Sequence, residues 1–202
     1  LPIQYSDYAL WQHQLQHTGV LAAQARYWEQ ALAGHSGVLQ LPTDQPRPQA
    51  PTHEGRDLGF TLPVALHEGL KALSARAGVT LYSTMLAAFQ ILLHRLSGSD
   101  DVLVGADVAG RQQPELEGLI GFFVNILPLR STFAPLQPFS AFLATTQGTA
   151  LDAFDHQDLP FDMIVEASPR PRQRGFNPLV QVLFVMNNLP VQGGRMDGIE
   201  VE

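Results

Sequence analysis

His53 and Asp57 are the first residues in this chain whose types and spacing suggest chemistry. In many acyltransferases a histidine takes the proton from a nucleophile, and a nearby aspartate holds the local structure. Here the pair follows a proline-rich stretch and enters a segment with strand character. Residues four apart on a strand share a face but lie ~13 Å apart, so the structural reading is the stronger one. His13 and His17 stand four apart on a predicted helix, the spacing of a metal-binding pair. No Glu follows His13 and no third ligand is evident, so they read as a solvated helix face and no metal is expected. Gly105, Gly110, Gly118 and Gly121 fit neither nucleotide-binding glycine pattern, and Lys71, the only lysine, is far from them. There is no Gly-x-Ser-x-Gly elbow, and with no cysteine there is no thiolate nucleophile or zinc ligand.

Polar residues inside apolar runs are more informative. Asn125 lies between Val124 and Ile126, Asp107 within Val104–Val108, and Gln181 between Val180 and Val182. A buried carboxamide costs free energy unless its donors and acceptors are paired. Asn125 therefore either closes a hydrogen-bond network in the core or faces a polar cavity. Its spacing leaves both open. Replacement by Ala would cost stability in the first case and activity in the second. The three segments could line one shared cavity. Arg111, after Gly110 at a strand end, is either a donor at the mouth of that cavity or a partner for Glu115 or Glu117.

The elements that must position these residues follow from periodicity. Tyr8, Trp11 and Leu15 recur at helical spacing over 6–16, with Ser6 or Asp7 as cap, and a second helix spans about 20–33. Pro42, Pro46, Pro48 and Pro51 make 41–52 an extended connector. Alternation predicts a strand over 56–62. Pro63 opens a helix that Gly78 ends, and Thr80 caps the next, whose stripe runs from Leu81 to Leu96. Segments 101–109, 121–130 and 179–186 read as buried strands, with a polar loop over 110–118. Helices are predicted from Phe139 to Phe154 and again after Pro160. Strands interleaved with helices imply an α/β fold, a two-layer α/β sandwich with helices packed on a mixed sheet. Three or four strands form a small sheet for this length, as in half of a larger unit. Starting at Leu1, the chain reads as processed or cut from something longer.

Composition narrows the function classes. The chain has 202 residues, 45% of them hydrophobic and 15% charged, which is globular. Twelve basic against nineteen acidic residues give a net charge of −7, a poor basis for binding nucleic acid or an anionic membrane. The longest apolar run, 119–129, is too short to cross a bilayer, and no leader-like segment is present. A cytoplasmic location is expected.

Five segments occur in a recognisable order: Gln4–Gln12 (QYSDYALWQ), Val104–Arg111 (VGADVAGR), Ile120–Arg130 (IGFFVNILPLR), His156–Phe161 (HQDLPF) and Asn177–Val182 (NPLVQV). In this order they closely resemble the C-terminal half of the condensation domain of nonribosomal peptide synthetases. The resemblance spans nearly the whole chain. It implies a chloramphenicol-acetyltransferase-like lobe, with residues 1–202 as the C-terminal one of two. It also implies a reaction in which an aminoacyl thioester attacks an acyl or peptidyl thioester, both carried on phosphopantetheine arms. No cofactor would be bound by the chain itself. The implied partners are the upstream N-terminal lobe, donor and acceptor peptidyl carrier proteins, and a neighbouring adenylation domain.

The family's His-His-x-x-x-Asp-Gly motif belongs to the upstream lobe and is absent here. Thr52 and Leu58 stand where His53 and Asp57 would need a His and a Gly, so this chain alone is expected to be inactive, with no catalytic residue. By position, Ala106, Asp107, Asn125 and Gln181 resemble tunnel-wall residues. Gly110, Arg111, Gly118 and Gly121 resemble the floor loop, and Arg172, Arg174 and Asn177 the latch region. Two other readings stand beside this one: a non-catalytic module that docks carrier proteins or neighbouring domains, and a free-standing acyltransferase using His53.

Overall fold

A computed structural model of the protein describes residues 3–35, 37–45, 48, 54–168 and 176–187. Helices α1 (Tyr5–Leu15), α2 (Val20–Leu32), α3 (Val64–Ala77) and α4 (Leu81–Ser97) precede strand β1 (Asp101–Val108). After it come the short α5 (Pro114–Glu117), strand β2 (Asn125–Thr132), α6 (Phe139–Asp155) and α7 (Phe161–Ala167).

The helix boundaries follow from local chemistry. Asp7 in the first turn of α1 accepts from the Gln4 backbone N–H at 2.7 Å, so the helix starts one residue before the expected Ser6. The Thr80 hydroxyl accepts from the Ser83 N–H at 3.1 Å and caps α4. Gly78 and Gly98 end α3 and α4 at φ +67° and +68°, which residues with a Cβ adopt only at a cost. Pro160 precedes α7, where a missing N–H leaves no gap in the helix.

β1 and β2 pair antiparallel, with Gly105 opposite Pro128. Gly105 turns both its backbone groups away from β2. Its N–H donates to the Val182 carbonyl at 2.9 Å, and its carbonyl accepts from the Phe184 N–H at 2.8 Å. Among the described residues the sheet is thus two-stranded and antiparallel, not the mixed sheet of three or four strands expected, and its one parallel contact is an isolated bridge from Gly105 to the neighbouring Leu183. Directly opposed residues of an antiparallel pair orient alike, so the nitrogen of Pro128 points to the outer edge of β2. A residue with no N–H is tolerated there. A Cβ on Gly105 would come within 2.6 Å of Leu183 and Val180, so its hydrogen atom lets that neighbour pack close.

Four further expectations need adjusting. Residues 56–62 form no strand: Leu58 and Phe60 are 89% and 81% exposed, and no other strand among the described residues takes up the segment's hydrogen bonds. The second strand begins at Asn125 rather than 121, because Phe123 turns inward against α1. Segment 179–186 narrows to the bridge at Leu183, since the Asn177 carboxamide accepts from the Leu179 and Val180 N–H groups (3.2 and 3.1 Å) and starts it as a turn. The loop expected over 110–118 also contains α5. Of the connector 41–52, the described residues 41–45 and 48 lie in no helix or strand. Among the described residues no single helix is long and apolar enough to cross a membrane.

The main core joins Trp28 and Leu32 of α2 to Leu86 and Leu93 of α4, the inward residues of both strands, and Ile164 of α7. A polar network fastens the sheet to the end of α2. Arg130 of β2 grips Asp101 of β1 through two hydrogen bonds (2.9 and 3.2 Å), and it donates to the carbonyls of Ala33 (2.6 Å) and Ala31 (3.3 Å). Those carbonyls belong to a helix end that lacks internal donors. His35 Nδ1 lies 2.8 Å from the same carboxylate. Burial pushes the Asp101 carboxyl up, but the hydrogen bonds and charges of Arg130 and His35 outweigh it and hold the group below the usual carboxylate range.

A depressed folded-state pKa stabilises the fold above the ordinary carboxylate pKa, and that stability is lost as the pH falls toward the folded value. Urea unfolding followed between pH 7 and pH 3 should therefore fall more steeply for the wild type than for Asp101→Asn. At pH 7, Arg130→Ala should cost about 1.5–3 kcal/mol, as for hydrogen bonds to a charged group.

Candidate functional site

The HQDLPF segment joins α6 to α7 and makes a non-helical turn whose backbone groups need partners from elsewhere. Asn125, the first residue of β2, supplies most of them. Its Nδ2 donates to the carbonyls of Gln157 (3.0 Å) and Leu159 (2.8 Å), and its Oδ1 accepts from the Phe161 N–H at 3.0 Å. From the other side, the buried Gln24 of α2 accepts from the Leu159 N–H at 2.8 Å and donates to the Asp158 carboxylate at 3.0 Å. Trp28, one turn further along α2, donates its indole N–H to the His156 carbonyl at 2.9 Å. The His156 ring stacks on Tyr27 at 3.8 Å, and burial, with the charges of Asp152 and Asp155, pushes the Tyr27 phenol up to about 12.

The loop between β1 and β2 is pinned as firmly. Gly110 sits at φ +65°, and a Cβ there would fall 2.0 Å from the Phe123 carbonyl oxygen, so only glycine fits. Arg111 donates to the Leu116 carbonyl and lays its guanidinium over the Phe123 ring at 4.2 Å. The other side of Phe123 meets Tyr5 and Tyr8 of α1 edge-on, with centroids 5.1 and 4.8 Å away. Gly118 ends α5. Gln112 donates to Asp158 at 3.1 Å and so ties the loop to the HQDLPF turn.

A cavity of about 520 Å³ lies where these parts meet. Tyr5, Tyr8 and Trp11 form one wall, Phe122 to Asn125 a second, and Gln157, Asp158 and Pro160 to Asp162 a third. Burial, Tyr5 and the Asp158 charge raise the Tyr8 phenol above its ordinary value. Asp158 and Asp162 bring negative charge to a lining that, among the described residues, contains no Lys, Arg or His.

The residues singled out from sequence are distributed as follows. Asn125 and Gly110 line the cavity, whereas Ala106, Asp107 and Gln181 do not. The strand register explains part of this. Asn125 opposes Val108, and Asp107 opposes Ile126, so Asn125 and Asp107 project from opposite faces of the sheet. The anticipated single cavity shared by Asn125, Asp107 and Gln181 does not form among the described residues. Ala106 is buried and opposes Leu127, while Asp107 is exposed; burial, with a smaller contribution from the Asp107 charge, pushes the Tyr82 phenol up to about 12. Gln181 accepts from the Leu39 N–H at 3.1 Å and donates to the Asn177 carbonyl at 3.0 Å. Arg111 contacts a carbonyl and a ring, the ring belonging to the cavity wall. His53, Arg172 and Arg174 lie outside the described residues. His13 and His17 pack ring to ring at 5.6 Å, and among the described residues no group of three or more potential ligands could hold a metal ion.

Sequence reasoning missed Gln24, Trp28 and Asp158. Gln24 had a readable signal, since it interrupts the buried stripe Leu21, Trp28 and Leu32 of α2 just as Asn125 interrupts its strand. Asp158 had none, because its partners Gln24 and Gln112 come from two segments far from it in sequence.

The family model described as "Condensation domain" matches residues 1–201. A linear gramicidin synthase of Brevibacillus parabrevis is 45% identical over 201 residues, which is 100% of this chain and 4% of that protein. Phosphinothricin tripeptide synthetase PhsC of Streptomyces viridochromogenes is 43% identical over 188 residues, covering 93% of this chain and 17% of its own length. The X-domain from teicoplanin biosynthesis superposes with a TM-score of 0.83 at 27% identity, over 90% of this chain and 41% of that one. For holo-AB3403, a four-domain nonribosomal peptide synthetase, the TM-score is 0.80 at 29% identity, over 83% of this chain and 13% of that one. The chain thus spans less than half of each, and under a fifth of the two synthetases it matches in sequence.

Removing the Asn125 carboxamide strands two carbonyls and an N–H. Asn125→Ala should lower unfolding stability by about 2–4 kcal/mol, tempered by water from the cavity. Asn125→Asp should lose at least as much at neutral pH, because it sets a charge against the Gln157 and Leu159 carbonyls. Denaturant unfolding of both variants reads this directly, and values within about 0.5 kcal/mol of wild type would contradict the clamp.

Proposed function

The chain belongs to the condensation-domain family, and from that premise we propose that residues 1–202 form the C-terminal lobe of a peptide-bond-forming domain. In that reaction the amine nitrogen of an acceptor aminoacyl thioester attacks the carbonyl carbon of a donor acyl or peptidyl thioester. The C–N bond forms, the C–S bond breaks, the amine gives up a proton, and the donor arm leaves as the thiol. The phosphopantetheine arms are cargo of the partner carrier proteins. Proton transfer falls to the His-His-x-x-x-Asp-Gly motif of the upstream lobe.

This chain's own contribution is a shaped wall. The observation that carries the reading is the convergence of α1, the Gly110–Val124 loop and the HQDLPF turn around one cavity, each held by buried or glycine-dependent contacts. Ile120 and Phe122 meanwhile face outward, 94% and 78% exposed. Fixed backbone beneath exposed apolar side chains suits a surface meant to be covered by a second lobe. Within the proposal, Gly110, Arg111, Gly118 and Gly121 shape the floor loop. Asn125 serves as the tunnel-wall residue, whereas Asp107 projects from the opposite face of the sheet and Ala106 and Gln181 lie off the cavity; Arg172, Arg174 and Asn177 belong to the latch. Carrier domains and a neighbouring adenylation domain are the partners this role requires.

A docking module is the second reading. It draws support from the teicoplanin X-domain, which was also solved in complex with OxyB and matches this chain with a TM-score of 0.84 at 27% identity.

The test compares residues 1–202 alone with the natural polypeptide that contains them, using thioesters loaded on its own carrier domains and product detection by mass spectrometry. Amide product should appear only with the natural polypeptide, and should vanish when the second His of its upstream motif is replaced by Ala. A natural polypeptide with no such motif and no product would favour the docking module. Turnover by residues 1–202 alone, abolished by His53→Ala, would establish the free-standing acyltransferase instead.

A further inference from the structure

We infer that Tyr5 of α1 is a positioning residue that sets the height of the Gly110–Val124 loop at the cavity mouth. Its phenol donates to the Phe122 carbonyl at 3.0 Å, between residues far apart in sequence. Its ring occupies the space a side chain at Gly121 would need: a Cβ there would lie 2.3 Å from Tyr5 Cδ2 and 2.7 Å from Cε2. The same ring packs edge-on to Phe123, whose other neighbours include Tyr8 and Arg111. Three consecutive residues of the loop, 121 to 123, are therefore each held by one side chain through a different kind of contact. The outward residues Ile120 and Phe122 stay largely exposed against the described residues and sit where the backbone puts them.

The consequence for catalysis rests on the proposed function. If this loop is part of the tunnel, Tyr5 acts on the rate through Phe122 and without touching substrate. Losing the phenol should leave carrier binding intact and let the loop leave its reactive position part of the time. One exposed hydrogen bond of this kind corresponds to a population change of about two- to tenfold.

The experiment uses the natural polypeptide with its own carrier domains and three variants: Tyr5→Phe, Gly121→Ala, and Gly121→Ala combined with Tyr5→Ala. Amide hydrogen exchange of the 119–124 peptide should rise about two- to tenfold in Tyr5→Phe, with exchange in β1 and β2 and the thermal midpoint unmoved. The kcat for amide formation should fall by a similar factor, with KM for the loaded acceptor carrier unchanged. Gly121→Ala should be more damaging than Tyr5→Phe, and removing the ring in the double variant should recover most of that extra loss. Unchanged exchange in Tyr5→Phe, or a Gly121→Ala defect just as large without the Tyr5 ring, would overturn the inference. A wild type that exchanges normally but forms no product would defeat the proposed function, while the exchange arm would still decide the role of Tyr5.

Discussion

A backbone that turns inside a protein must find a partner for every N–H and carbonyl it hides, and the HQDLP turn imposes that requirement on this chain. Helix α6 ends at Asp155, the chain turns through residues 156–159, and α7 begins at Phe161. The exposed backbone groups between them are met by two carboxamides, Asn125 from the start of β2 and Gln24 from the middle of α2. A carboxamide suits the task because it offers donors and an acceptor on one planar group, without the desolvation cost of a charge. Through these two side chains the strand, the α6–α7 turn and α2 become one assembly, and Trp28 seals it with the His156 carbonyl.

The cavity is a by-product of that assembly. Asn125 lines it while its polar atoms are engaged with backbone, so it shapes the wall as well as bracing it. The loop before β2 is held from the opposite direction by glycines that permit close contact and by aromatic rings that exploit it. This arrangement suits the function proposed above, in which the share of this chain in catalysis is geometry, a fixed surface that positions reacting groups brought by others.

Much of this was legible in the residues. Helix starts and stops followed from Pro63, Gly78, Thr80, Gly98 and Pro160, because capping chemistry is local. Asn125 stood out because an amide in an apolar strand demands an explanation, although its spacing could not separate bracing from lining. It does both. The strand edges were harder. Residues 56–62 alternate like a strand, but a strand needs a neighbour, and alternation says nothing about whether one is present. The same limit applied to grouping Asp107 with Asn125, since only the β1–β2 register shows that they project from opposite faces. Order and wording of the five motifs pointed to the family; the contacts between them, such as Gln112 with Asp158, are tertiary and had to be seen.

Asn125 and Gln24 hold the HQDLP turn as a single unit, and a double-mutant cycle tests that most directly. Unfolding free energies of the wild type, Gln24→Ala, Asn125→Ala and the double variant give the coupling between two side chains that grip the same turn from opposite sides. A shared unit requires a coupling of about 1 kcal/mol or more, with the second substitution costing less once the first has released the turn. Strict additivity, within about 0.3–0.5 kcal/mol, would mean that each amide serves its own bonds and that no common unit exists.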